Sequence, residues 1–127
     1  MVLIDFDTLE MSSAAARRPV YLFNKGKLNE IRGARRGVGE HRNSNEFVET
    51  VTQLRKGDSI YLSSDGFASQ FGGAEKMPYS AGALKRFIER NIDEHMDVQK
   101  KLFEEEFRTW MGSNEQIDDV IVMGIRI

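Results

Sequence analysis

The chain has 127 residues, 40% hydrophobic and 30% charged, a balance that suits one globular domain with a single core. A net charge of −2 argues against general nucleic-acid binding, and the absence of cysteine excludes disulfides, thiolate nucleophiles and cysteine-built zinc or iron–sulfur centres. No apolar run approaches the roughly 20 residues of a membrane span, and Met1–Phe6 has no basic n-region, so no membrane segment or signal peptide is expected and a cytoplasmic location is.

Val2-Leu3-Ile4 and Leu9-Glu10-Met11 read as two short strands with Asp5–Thr8 turning between them. Pro19 opens a strand over Val20–Phe23, Asn24-Lys25-Gly26 closes a hairpin, and Leu28–Ile31 returns. A four-strand antiparallel meander is the expectation for this part. Gly33–Asn45 carries three glycines and three arginines and reads as a surface crossing or a functional loop. Phe47–Leu54 alternates as a strand, and Lys56-Gly57-Asp58 turns into a second apolar strand centred on Ile60–Leu62. Phe67–Pro78 reads as a glycine-rich loop.

The pattern then changes from period 2 to period 3.6. Ser80 is an N-cap candidate, and Leu84, Phe87, Ile88 and Ile92 share one helical face. Met96, Lys100, Phe103, Phe107, Trp110 and Met111 form a second stripe, with Asp93 or Asp97 as its cap and Gly112 as its C′ residue. The aromatic stripe reads as core. The chain ends in a β-prone strand, Val120–Ile127, entered through Asp118-Asp119 and expected to rejoin the sheet. Six strands, two helices and a closing strand give an α+β fold.

Charge is unevenly spread. Arg17–Arg42 holds eight basic and two acidic residues, and Asp93–Asp119 holds nine acidic and three basic. Both read first as solvated faces, and the basic stretch is also suited to a phosphorylated or acidic partner. His41 and His95 lack ligand spacing.

The stretch around which the rest is organised is Gly57-Asp58-Ser59-Ile60-Tyr61-Leu62-Ser63-Ser64-Asp65-Gly66-Phe67. A buried strand ends there at a carboxylate followed by a glycine, which permits positive φ and close backbone approach. Antiparallel neighbours would bring Asp65 beside Asp118-Asp119. Clustered carboxylates without cysteine or a histidine pair suit a hard, water-rich cation such as Mg²⁺ or Mn²⁺. The plain alternative is that Ser-Asp-Gly is a turn formed for local reasons.

Extended to Gly73, this stretch resembles the "GD-x-(I/L)-Y-L-x-SDG-F-x-DQFGG" block of bacterial PPM-type metal-dependent serine/threonine phosphatases, in the stage II sporulation protein E and sigma-factor-regulator branch. Trp110-Met111-Gly112 followed by Gln116-Ile117-Asp118-Asp119-Val120-Ile121-Val122-Met123-Gly124 is similar to the family's "W-x-G-x-x-x-Q-x-DD-(V/I)-x-V-x-G" ending. Tyr21–Ile31 is similar to its hairpin before a "G-(I/V)-G" turn, here Gly37-Val38-Gly39. The resemblance runs through almost the whole chain.

The resemblance implies the C-terminal portion of an αββα sandwich, with residues 1–127 as a single partial phosphatase domain. It implies a two-ion Mn²⁺ or Mg²⁺ site, with Asp65 and Asp118 as metal ligands and Gly66 and Asp119 supporting them. It also implies a phosphorylated regulatory protein as substrate, such as an anti-sigma-factor antagonist. The departures are specific. There is no Gly-His-Gly segment with its aspartate, Ser69 stands where the block has aspartate, and Ala14-Ala15-Ala16 replaces a common Ala-Gly pair. Asp5 and Asp7 match a different part of the family. An isolated chain with two ligands is therefore expected to be inactive. A non-catalytic interaction module is the alternative, and an exposed sheet face is expected to make the chain self-associate.

Overall fold

The structure is a computed structural model and describes residues 1–35, 37–39 and 47–127. His41, Arg36, Arg42 and most of the second half of the Gly33–Asn45 loop lie outside the described residues. The elements run β1 (Val2–Asp5), β2 (Glu10–Ser13), β3 (Val20–Asn24), β4 (Lys27–Ile31), β5 (Thr50–Gln53), β6 (Ser59–Ser63), α1 (Gly66–Ser69), β7 (Phe71–Gly72), β8 (Met77–Pro78), α2 (Ala81–Arg90), α3 (Met96–Met111) and β9 (Val122–Arg126). The fold is α+β with mostly antiparallel sheets. Its contacts divide it into two compact units, Met1–Leu62 with Gly124–Ile127, and Ser63–Met123.

The expected four-strand meander is not formed. β1 pairs with β2 and β2 with β5 in one sheet, while a second sheet has the order β4-β3-β6-β9. The chain changes sheet between β2 and β3, and small residues make that possible. Ala15 accepts from the Ala34 amide at 2.8 Å, and a Cβ on Gly33 would collide with the Ala15 carbonyl. Arg17, at φ +58, turns the chain away, and Pro19 leads into β3. The hairpin between β3 and β4 is as expected: Lys25 and Gly26 both have positive φ, the geometry of a two-residue turn matched to strand twist.

The first unit's core lies between these sheets. Met11, Ala15, Val20, Leu22, Leu54 and Ile60 are buried, with Val2, Ile4, Leu9, Ile31, Leu62 and Ile127 packed against them. Alternation sets the other face of the three-stranded sheet. Register pairs Leu3 with Ser12 and Ser12 with Val51, and Leu3 and Val51 remain 67% and 56% exposed. Phe47–Glu49 lies outside β5, so that strand is shorter than its alternation suggests.

The second unit is helical and aromatic. Ser80 caps α2, accepting from the Ala83 amide at 3.2 Å, and Leu84, Phe87, Ile88 and Ile92 are buried as expected. His95, not Asp93 or Asp97, occupies the N-cap position of α3 without a side-chain bond. Gly112 ends that helix at φ +56. The Phe67 ring is fully buried against Tyr79, Phe103 and Phe107 at centroid distances of 5.1, 5.8 and 5.2 Å. The expected loop over Phe67–Pro78 instead contains the end of α1 and the β7–β8 hairpin. Among the described residues, no helix is long and apolar enough to cross a membrane.

Candidate functional site

β6 and β9 are sheet neighbours, and they run antiparallel: Ile127 donates to the Asp58 carbonyl at one end, and the Ser64 amide to the Ile121 carbonyl at the other. The end of the first strand therefore meets the approach to the second. The Ser64 hydroxyl ties them together, donating to the Asp119 carbonyl at 2.8 Å and accepting from the Ile121 amide at 2.9 Å. Gly66 is buried, and a Cβ there would collide with the Asp119 carbonyl oxygen and stand 2.9 Å from its carbon. The close approach expected at Gly66 is thus present, but positive φ at Gly66 is not.

Asp65 is half-buried at the N-cap position of α1, with φ −79 and ψ −20. Its carbonyl accepts from the Ser69 amide at 2.8 Å, and its carboxylate does not cap the helix. Asp118 and Asp119 are exposed. One Asp118 carboxylate oxygen accepts from the Asp119 amide at 2.8 Å, and the Gln116 amide group donates to the Asp118 carbonyl at 2.9 Å. The backbones carrying the two acidic positions are therefore fixed beside each other by Ser64 and by the bare face of Gly66.

A second set of contacts holds the approach to Asp118. Gln70 is fully buried and donates from its side chain to the Glu115 carbonyl at 2.9 Å. The Trp110 indole donates to the Gln70 carbonyl at 2.8 Å, and the Gly73 amide to the Trp110 carbonyl at 3.0 Å. A Cβ on Gly72 would overlap the Trp110 carbonyl. Ser64 and Gln70 were given no role by sequence reasoning. The available signal was a hydroxyl directly before a strand-end carboxylate, and an amide directly before Phe71 in the Phe67–Gly73 segment.

The other acids in strand turns do local work. Asp5 accepts from the amides of Asp7 and Thr8 at 2.8 and 3.0 Å, and these donors, Thr8 foremost, hold its carboxyl below the usual range. The Asp58 carboxylate accepts from the Arg55 amide at 3.0 Å. Burial, and then the bond from its hydroxyl to Glu106 at 2.7 Å, push the Tyr79 phenol above its ordinary value. Asp65 and Asp118 offer hard oxygen donors of the kind Mg²⁺ and Mn²⁺ accept. Among the described residues, no group of three or more histidines, aspartates or glutamates is arranged to hold an ion. Two carboxylates are fewer than a pair of such ions needs.

The family model for stage II sporulation protein E (SpoIIE) matches residues 2–127. The chain belongs to the SpoIIE family. This is a family of PP2C-type phosphatase domains. Solved structures agree on the SpoIIE-type fold. The SiaA-PP2C domain of Pseudomonas aeruginosa matches with a TM-score of 0.88 at 24% identity, over 99% of this chain and 49% of that one. The Bacillus subtilis SpoIIE phosphatase domain, presoaked with Mn, matches with a TM-score of 0.68 at 19% identity, over 100% and 55%. The RsbU and RsbW domains of a Mycobacterium tuberculosis protein match with a TM-score of 0.72 at 19% identity, over 97% and 34%. This SpoIIE-family chain therefore spans about half, or less, of the structures it matches. No curated protein matches it.

Proposed function

We propose that residues 1–127 are a partial phosphatase domain that contributes carboxylate ligands to the hydrolysis of phosphoserine or phosphothreonine on a regulatory protein. What supports this reading is one observation: the backbone at Ser64–Gly66 is stitched to that at Asp119–Ile121, inside a chain the family model spans. Asp65 and Asp118 would hold a hard divalent cation, Mn²⁺ or Mg²⁺, and Gly66 and Asp119 would shape the backbone around it. When bound, such an ion lowers the pKa of a coordinated water and polarises phosphoryl oxygens. The chain's own contribution is to aim the carboxylates. Ser64 fixes the Asp119 carbonyl, and the Asp119 amide holds one Asp118 oxygen. By family analogy the substrate is an anti-sigma-factor antagonist, and we assign the reaction to the cytoplasm on composition.

The 127-residue chain alone is inactive in this reading. In a protein carrying the complete domain, Asp65→Asn and Asp118→Asn each reduce Mn²⁺-dependent hydrolysis of a phosphoserine peptide to the metal-only blank. Activity retained by either variant removes that residue from the site. A second reading is a non-catalytic interaction module. It is favoured by Ser69 in place of aspartate and by the lack of a three-ligand cluster among the described residues. Wild-type complete domain without activity at any Mn²⁺ concentration would establish that module instead.

A further inference from the structure

The second unit contains a cavity of about 360 Å³ lined by none of Ser64, Asp65, Gly66, Asp118 and Asp119. One wall is α2, presenting Ala83, Arg86, Phe87 and Arg90, and the other is Tyr79, Glu106 and Trp110. That second wall is aromatic and fixed: the Tyr79 and Trp110 rings meet edge to face at 5.3 Å, and the indole N–H is held by the Gln70 carbonyl. Among the described residues the only acid lining it, Glu106, already accepts the Tyr79 hydroxyl at 2.7 Å. Arg86 and Arg90 are exposed, and among the described residues neither meets a carboxylate; Arg90 lies over the Phe87 ring at 5.3 Å. The described lining thus has two cations, one engaged anion and an aromatic wall.

We propose that this cleft binds an acidic peptide segment in extended conformation. Arg86 and Arg90 are one helical turn apart, about 6 Å along α2. Residues i and i+2 of an extended strand are about 6.7 Å apart and point to the same side. Two acidic side chains at i and i+2 therefore meet the two guanidiniums in register. The residue between them points to the opposite wall, where Tyr79 and Trp110 suit an apolar side chain and Glu106 repels an acidic one. The volume admits one such side chain with the ends of its neighbours, which fits a short linear motif. The cleft stands whichever way the phosphatase assay falls.

Trp110 is the chain's single tryptophan and lines the cleft, so its emission reports occupancy directly. The probe is an acetylated, amidated glutamate-leucine-glutamate peptide, with the glutamine-leucine-glutamine peptide and inorganic phosphate as controls. The acidic peptide should give a saturable change in emission. Arg86→Gln and Arg90→Gln should each weaken it roughly threefold and the double variant roughly tenfold, the scale of exposed ion pairs, with further weakening at high salt. The glutamine peptide should bind at least as weakly as the acidic peptide binds the double variant. No saturable change, an unaltered midpoint in the double variant, or an equal response to phosphate alone would each overturn the proposal. Both arginines are exposed, so neither replacement should disturb folding.

Discussion

Gly66→Ala tests the juxtaposition on which the functional reading rests. The added Cβ would overlap the Asp119 carbonyl oxygen and lie 2.9 Å from its carbon and 3.1 Å from a Val120 methyl. The carbonyl cannot swing aside freely, because the Ser64 hydroxyl holds it at 2.8 Å. Overpacking of this kind costs about 1–3 kcal/mol, and collision with backbone points to the upper end. Alanine recovers roughly 0.5 kcal/mol by restricting the unfolded chain, which leaves a loss of about 2.5 kcal/mol. At roughly 4 °C per kcal/mol for a chain of this size, Tm should fall by about 10 °C. Gly82→Ala is the control, since its Cβ meets only the Arg86 guanidinium at 3.5 Å and the Ser80 hydroxyl at 3.9 Å. Inside α2 that change should stabilise by up to about 1 kcal/mol. Thermal melts followed by circular dichroism, at one protein concentration, compare the two. A Gly66→Ala melt within about 2 °C of the parent would show that the Asp119 backbone is not seated against Gly66.

Ser64→Ala should cost about 1–2 kcal/mol, read as a lower denaturant midpoint at unchanged slope, because it leaves the Ile121 amide and the Asp119 carbonyl without their hydroxyl partner. Tyr79→Phe tests the raised phenol. The native hydroxyl keeps its proton while the unfolded one ionises near pH 10, so the parent should lose stability as pH rises above about 10 and the variant should lose less over the same range. If the parent and Tyr79→Phe show the same slope, the hydroxyl is not buried against Glu106. Light scattering should show the 127-residue chain self-associating through the exposed row of Leu3 and Val51, and the double variant Leu3→Glu, Val51→Lys should reduce it. A clean monomer for the parent would remove this sheet face as a contact.

Elements fixed by neighbours in sequence were readable from it. The Lys25-Gly26 turn, the Ser80 cap, the Gly112 helix end and the β-branched closing strand each depend on local conformational preference. The path through Ala14–Arg17 was not readable, because a sheet change depends on what lies across from it. Only with Gly33 against Ala15 does the run of alanines become a crossing and not a continued strand. α1 and the β7–β8 pair were missed for a different reason: elements of four and two residues span about one period, too little for a repeat to announce them. At the candidate site, the meeting of two strand ends followed from antiparallel pairing, whereas Ser64 as the tie and Gln70 as the brace are tertiary facts.

That division bears on what the motif match can mean. In the block from Gly57 to Gly73, Gly57 takes φ +93 in a turn, Asp58 satisfies the Arg55 amide, and Ser59 accepts from the Arg126 guanidinium at 3.2 Å. Ile60, Tyr61 and Phe67 are core, Ser64 ties strands, Gln70 braces a loop, and Gly72 and Gly73 lie against Trp110. Nearly every residue that makes the block recognisable therefore has a structural task, and Asp65 adds a half-buried carboxylate at the start of α1. A chain could keep this frame and lose the chemistry. Frame and chemistry separate experimentally: Asp65→Asn, nearly isosteric, should leave Tm within a few degrees of the parent, while Gly66→Ala lowers it by about 10 °C. If Asp65→Asn were as destabilising as Gly66→Ala, the aspartate would belong to the frame, and its value as a pointer to phosphoryl chemistry would fall to that of its neighbours.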